Sequence, residues 1–209
     1  MTQADRFPEF FDRAPQLLMR DPLAQFLGAT PDGVMAYRYQ DAVKLAGHSC
    51  PTVAGAYLMV VKGLSALYGS DIPERGGIEV LMRDGRDEGT TGVIANVAML
   101  LTGAAPETGF AGVGPMRLFG RRDLLAFGSG DERGEMLLRR RDTGAAVAVS
   151  YNPSIAPWPA EMQTLMPLAV SGRADDAQLK RFGEIWQERV EAVLTKLADD
   201  PRLVVVENV

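Results

Sequence analysis

The chain has 209 residues, 46% hydrophobic and 23% charged, with a formal charge of −5, one histidine and one cysteine. A chain of this length buries roughly 70% of its unfolded surface, so it needs neither disulfides nor a metal to hold a core. One cysteine excludes a disulfide framework and a closed zinc finger, and the acidic balance argues against a nucleic-acid partner. The opening MTQADRFPEFFDR is polar and mixed in charge, unlike a secretory signal. The longest apolar runs, 53–61 and 93–101, fall short of the roughly 18 residues that span a bilayer. The expectation is a soluble cytoplasmic protein with no membrane partner.

In chain order, 14–27 carries apolar residues at helical spacing, and Asp21-Pro22 is expected to split it into short helical pieces. The segment 33–39 alternates as a strand. A short helix is expected over 41–46, with Asp41 near its start and Gly47 as its left-handed stop. Pro51 suits the first turn of a long helix, because its missing N–H and fixed φ cost nothing there. Val53, Tyr57, Val60, Val61, Leu64 and Leu67 follow at helical spacing, and Gly69 closes the helix. Ala54, Gly55 and Ala56 in its first turns permit another backbone to come close. A buried strand is expected at 78–82 and a second small-residue helix from 91 to about 101, ending at Gly103. Strands 135–141 and 145–151 flank Asp142-Thr143-Gly144 as a hairpin. Asp175 and Asp176 favour the start of a helix whose stripe runs from Leu179 through Phe182, Trp186 and Val193 to Leu197, and 202–207 ends the chain as a strand. This pattern predicts an α+β fold, a mixed sheet with packed helices. Residues 1–160 form the core, and 161–209 form a helical extension packed on it as one compact domain.

His48 and Cys50 lie two residues apart at the joint between the two helices expected around Gly47 and Pro51. A cysteine just ahead of a helix faces unsatisfied N–H groups, which favour its thiolate and make it a nucleophile or a metal ligand. An imidazole two residues away joins the same centre if the chain turns there. Zinc accepts both donors, and two protein ligands describe an open site. A third ligand would come from Asp41, Asp84, Asp87 or Glu88, or from a second copy of the chain. Against this stands the ordinary reading, in which a lone cysteine is a small hydrophobe and a lone histidine a satisfied hydrogen-bonder. Two further alternatives remain open: an accessory protein binding a small molecule between the helix starts, and a metal-free thiol at Cys50.

The run YRYQDAVKLAGHSCPTVAG, residues 37–55, resembles the core of the FmdE-like family, which is named for a component of formylmethanofuran dehydrogenase. The hallmark there is an acidic residue, a lysine and then G-H-x-C-P at a helix start, here Asp41, Lys44, Gly47, His48, Cys50 and Pro51. Leu101-Thr102-Gly103 and the hairpin over 136–151 extend the resemblance, which covers roughly 37–155. It implies an α+β core, a metal site on His48 and Cys50 with zinc as the metal, and an assembly of at least two chains, a homodimer at the simplest. The chain departs from the family at 90–94 and 104–105, where further cysteines are usual, and at Asn96, where an acidic residue is usual. It also has no cysteine-rich tail. The resemblance assigns no catalytic residue.

Other features read as structural. The loop 83–92 is dense in carboxylates, glycines and hydroxyls; it is a solvated turn with a threonine cap, or a source of a ligand or base beside the His48 joint. The glycines of 109–115 do not follow the dinucleotide pattern and read as turns. Arg139-Arg140-Arg141 reads as a charged sheet face, and the Phe182–Trp186 stripe as core or dimer surface.

Overall fold

The computed structural model describes residues 5–130 and 133–209. Its centre is helix α3 (Pro51–Tyr68), which is buried around almost its whole circumference over its first ten residues, as expected of a helix apolar on every face. On one side α3 meets α4 (Thr91–Thr102). On the other it lies across a five-stranded sheet of order β4-β3-β5-β6-β7, formed by β3 (Ile78–Met82), β4 (Leu125–Ala126), β5 (Met136–Arg140), β6 (Ala146–Tyr151) and β7 (Val204–Asn208). The β3–β4 pair is parallel and the others are antiparallel, with Val80 opposite Leu138 and Leu138 opposite Val147. The fold is α+β, with the core between α3, α4 and the sheet.

Small residues set how close these layers come. A Cβ on Gly63 would meet Leu138 at 2.6 Å, so its absence lets α3 settle onto the sheet. The β5–β6 hairpin turns through Gly144 at φ 76°. The strand expected last in the chain is β7, and it pairs along β6 from Val204–Tyr151 to Asn208–Val147, so the end of the chain completes the central sheet.

The segment 14–27 differs from expectation. It holds strand β1 (Leu17–Arg20) before the short helix α1 (Pro22–Phe26). β1 pairs antiparallel with β2 (Val34–Tyr37), and Leu17 and Met19 point inward while Leu18 and Arg20 point out. Long-range pairing thus overrides a weak helical spacing. Asp21 ends the strand and caps α1, accepting from the Leu23 and Ala24 N–H groups. The same buried carboxylate receives Arg75 at 2.9 Å and Arg121 at 2.6 Å. Burial alone would raise its pKa, but the Arg75 hydrogen bond and the Arg121 charge hold it below the usual carboxylate range.

Beyond β6 the chain adds α5 (Met162–Val170) and α6 (Asp176–Glu191), packed on each other around Met162, Leu165 and Ile185. Asp175 caps α6 by accepting from Gln178, and the helix continues into a π-turn over Ala192–Lys196. Leu179, expected in the buried stripe, is exposed, because the stripe begins to face the core only at Phe182.

Candidate functional site

The joint expected at 47–51 is present. Helix α2 (Tyr39–Ala46) begins two residues earlier than expected, and the Asp41 carboxylate accepts the Arg38 N–H at 2.8 Å, so Asp41 serves its own helix start. Gly47 is left-handed at φ 75° and turns the chain out of α2. Cys50 is the N-cap of α3. Its Sγ accepts from the Val53 N–H at 3.4 Å and is largely buried.

The three residues of the H-S-C run take separate tasks. Cys50 lines a cleft of about 340 Å³. Ser49 is tied to α6: its carbonyl accepts from Trp186 Nε1 and Gln187 Nε2, both at 3.2 Å, and its hydroxyl donates to Gln187 Oε1 at 3.0 Å. The Tyr39 hydroxyl lies 2.9 Å from the same Ser49 oxygen. His48 is exposed, does not line the cleft, and places Nδ1 3.0 Å from the Ala46 carbonyl. With Nδ1 as the donor in that bond, Nε2 carries the lone pair.

Four parts of the fold enclose the Cys50 cleft. The start of α3 supplies Cys50, Pro51 and Thr52; the start of α4 supplies Thr90 and Ile94; the bend before β5 supplies Glu135 and the end of β6 Tyr151; and the C-terminal third supplies Trp158, Trp186 and Arg189. The two small-residue helix starts therefore do meet at one cavity. A Cβ on Gly55 would come within 2.6 Å of the Tyr151 ring, so the close approach expected of another backbone is made by an aromatic side chain.

A second cavity of about 360 Å³ shares Thr90, Ile94 and Glu135 with the first, and its far wall holds Asp84 and Glu88. The carboxylates of the acidic loop thus stay outside the lining of the Cys50 cleft, which the loop reaches through Thr90. Asp84 is paired with Arg83 at 2.9 Å, and that hydrogen bond holds its carboxyl below the usual range. Glu88 accepts the Gly85 N–H at 2.8 Å, and Asp87 is exposed and lines neither cavity. Thr90 stands at the N-cap of α4, but its side chain makes no capping bond. Among the described residues no group of three or more His, Cys, Asp or Glu side chains is placed to hold a metal ion.

Sequence reasoning missed four residues of this cleft: Glu135, Tyr151, Trp158 and Arg189. Glu135 Oε2 accepts the Tyr151 N–H at 3.1 Å. Burial pushes the Tyr151 phenol up to about 12, opposed by the Arg189 charge, and its shielded hydroxyl has no partner among the described residues. Arg189 donates to the Ala156 and Pro153 carbonyls at 2.5 and 2.9 Å and lies 4.1 Å over the Trp158 ring. Burial lowers its pKa. Trp186, expected as core or dimer surface, sits 4.9 Å from Trp158 and forms the aromatic wall with it. The sole sequence signal for this wall is the scatter of large aromatics and one arginine at 158, 186 and 189, which spans 32 residues.

A larger cavity, of about 630 Å³, lies against Arg75 and Arg121. Arg75 and Arg121 share the Asp21 carboxylate, and Glu74 and Asp123 line the cavity as well. No described helix is long and apolar enough to cross a membrane. The L-T-G element closes a helix: Thr102 Oγ1 donates to the Ala98 carbonyl at 2.7 Å and accepts the Ala104 N–H at 3.1 Å, and Gly103 is left-handed.

No protein-family model and no curated protein matches the chain. Among solved structures, the chain is similar to a tungsten formylmethanofuran dehydrogenase FmdE-like protein from Syntrophus aciditrophicus. The identity is 14% over 83% of this chain and 72% of that one, with a TM-score of 0.42, and no residue here takes a role from it.

Proposed function

We propose that the protein binds a small molecule in the cleft at Cys50, and that the Cys50 thiolate and the His48 imidazole hold a zinc ion at the margin of that cleft. The observation that carries the reading is the placement of the chain's one cysteine: it caps α3 on the wall of a cavity that both small-residue helix starts enclose. The Val53 N–H reaches Sγ at 3.4 Å, which fixes the sulfur at the start of α3. The Ala46 carbonyl holds the His48 ring with Nε2 free, the arrangement commonly seen behind a ligating imidazole. The G-H-x-C-P resemblance supports the same pair. Two donors are an incomplete set, so water, the bound molecule or a second copy of the chain would supply the rest. A zinc ion held there would polarise the bound molecule or activate a water. Glu135 is the carboxylate on the cleft wall able to take a proton.

Metal analysis of the purified protein tests this reading. About one equivalent of zinc is expected in the wild type, with loss in both Cys50→Ser and His48→Ala. Wild-type protein that stays metal-free after zinc is supplied would remove the metal from the proposal. A second reading, a metal-free thiol, rests on the same placement of Cys50 on the cleft wall. It predicts fast alkylation of Cys50 at neutral pH that added zinc does not slow.

A further inference from the structure

We infer that the Cys50 cleft selects a small organic carboxylate, with Arg189 as the anion anchor and the two tryptophans as its apolar wall. The inference rests on the reading of this cleft as the binding site and names its ligand class.

Arg189 is half-buried, and among the described residues it forms no ion pair. Its hydrogen bonds use Nε and Nη2, both to carbonyl oxygens, which leaves Nη1 without a partner among the described residues and the charge uncompensated. A guanidinium out of bulk water without an anion is costly to keep, and a bound oxyanion removes that cost. The Trp158 ring, 4.1 Å from Cζ, and the two carbonyls hold the guanidinium in place, so its remaining N–H groups are pre-positioned. Beside it the Tyr151 hydroxyl is shielded, protonated and unpartnered, a second donor that a bound group would complete. Trp158 and Trp186 offer flat apolar surface against which a carbon skeleton packs. Glu135 faces the same cleft and is not paired with Arg189. Its charge opposes a dianion, which favours a single carboxylate over a phosphate ester. The cleft, at about 340 Å³, is of ligand size.

The chain has two tryptophans and both line the cleft, so their fluorescence reports on binding there. Chelator-treated protein, which removes any metal as the carboxylate's partner, is titrated with benzoate, benzyl alcohol and inorganic phosphate. Benzoate is expected to bind at least about tenfold more tightly than benzyl alcohol, and phosphate more weakly than benzoate. Arg189→Gln abolishes the preference for benzoate, and Arg189→Lys restores part of it. Since Arg189 also holds two carbonyls, the wild-type comparison stands without any variant. Alkylation of Cys50 gives a second reading: the ratio of iodoacetate to iodoacetamide rates is expected to fall several-fold in Arg189→Gln. Equal affinity for benzoate and benzyl alcohol, tighter phosphate binding, or an unchanged rate ratio would overturn the anion assignment while leaving the cleft in place. No binding by either aromatic probe, with Cys50 inert to both reagents, would overturn the cleft reading and this inference together.

Discussion

The Tyr151 ring lies against the bare Cα of Gly55, so close that a Cβ there would meet ring carbons at 2.6 Å. This contact joins the first turns of α3 to the end of β6 and places the phenol on the cleft wall. Gly55→Ala is therefore expected to displace the ring and destabilise the fold by about 1–3 kcal/mol, the usual cost of overpacking. Chemical denaturation measures the loss. Wild-type stability in that variant would show that the ring moves freely.

Ser49 couples the joint to α6 through Gln187 and Trp186. Gln187→Ala removes two of those bonds and leaves the Ser49 hydroxyl and carbonyl less satisfied, at a cost of about 1–2 kcal/mol. Because α6 carries one wall of the cleft, the same variant is expected to speed alkylation of Cys50. Equal alkylation rates in variant and wild type would separate α6 from control of the cleft.

Asp21 sits 4% exposed between two arginines, with its carboxyl held below the usual range. A depressed folded pKa contributes stability that is present above the unfolded value of about 3.9 and is lost as pH falls through the folded one. Asp21→Asn is expected to cost about 3–5 kcal/mol at neutral pH, since it leaves Arg75 and Arg121 without their anion. Its cost should shrink at acid pH, which paired denaturation curves at pH 7 and pH 3 would reveal.

All five tyrosines have raised pKa values, in each case chiefly through burial. Raised folded values contribute stability that is complete below the unfolded pKa of about 10 and is lost as pH rises through the folded values. Phenolate absorbance is therefore expected to lag the normal tyrosine titration and then rise together with the loss of circular dichroism. A smooth titration centred near pH 10 with the fold intact would contradict the burial of these rings.

Much of the fold is legible in local pattern. Pro51 at a first helical turn, the apolar spacing after it, Gly47 and Gly103 as left-handed stops, and the turn at Gly144 each act over a few residues, and each forms where expected. The segment 14–27 escapes local pattern because β1 exists through its pairing with β2, whose partner residues lie 14 to 20 positions away. Asp41, one of four candidate carboxylates for a third ligand, satisfies its own helix start, a role the short-range pattern also permits.

The sequence by itself determined the α+β class, the helix joint at 47–51 and the position of the single cysteine at a helix start, because capping, turn chemistry and hydrophobic period are local. Only the tertiary structure decided that Cys50 is buried on a cavity wall while His48 stands exposed beside it in the chain. It alone showed that the starts of α3 and α4 share one cavity, and that Trp158, Trp186 and Arg189, more than a hundred residues beyond Cys50, close it. Those contacts arise from packing α6 against the Ser49 carbonyl and from a ring filling the space a glycine leaves. Neither has a signature in residue spacing, since burial and charge compensation depend on which distant surfaces meet.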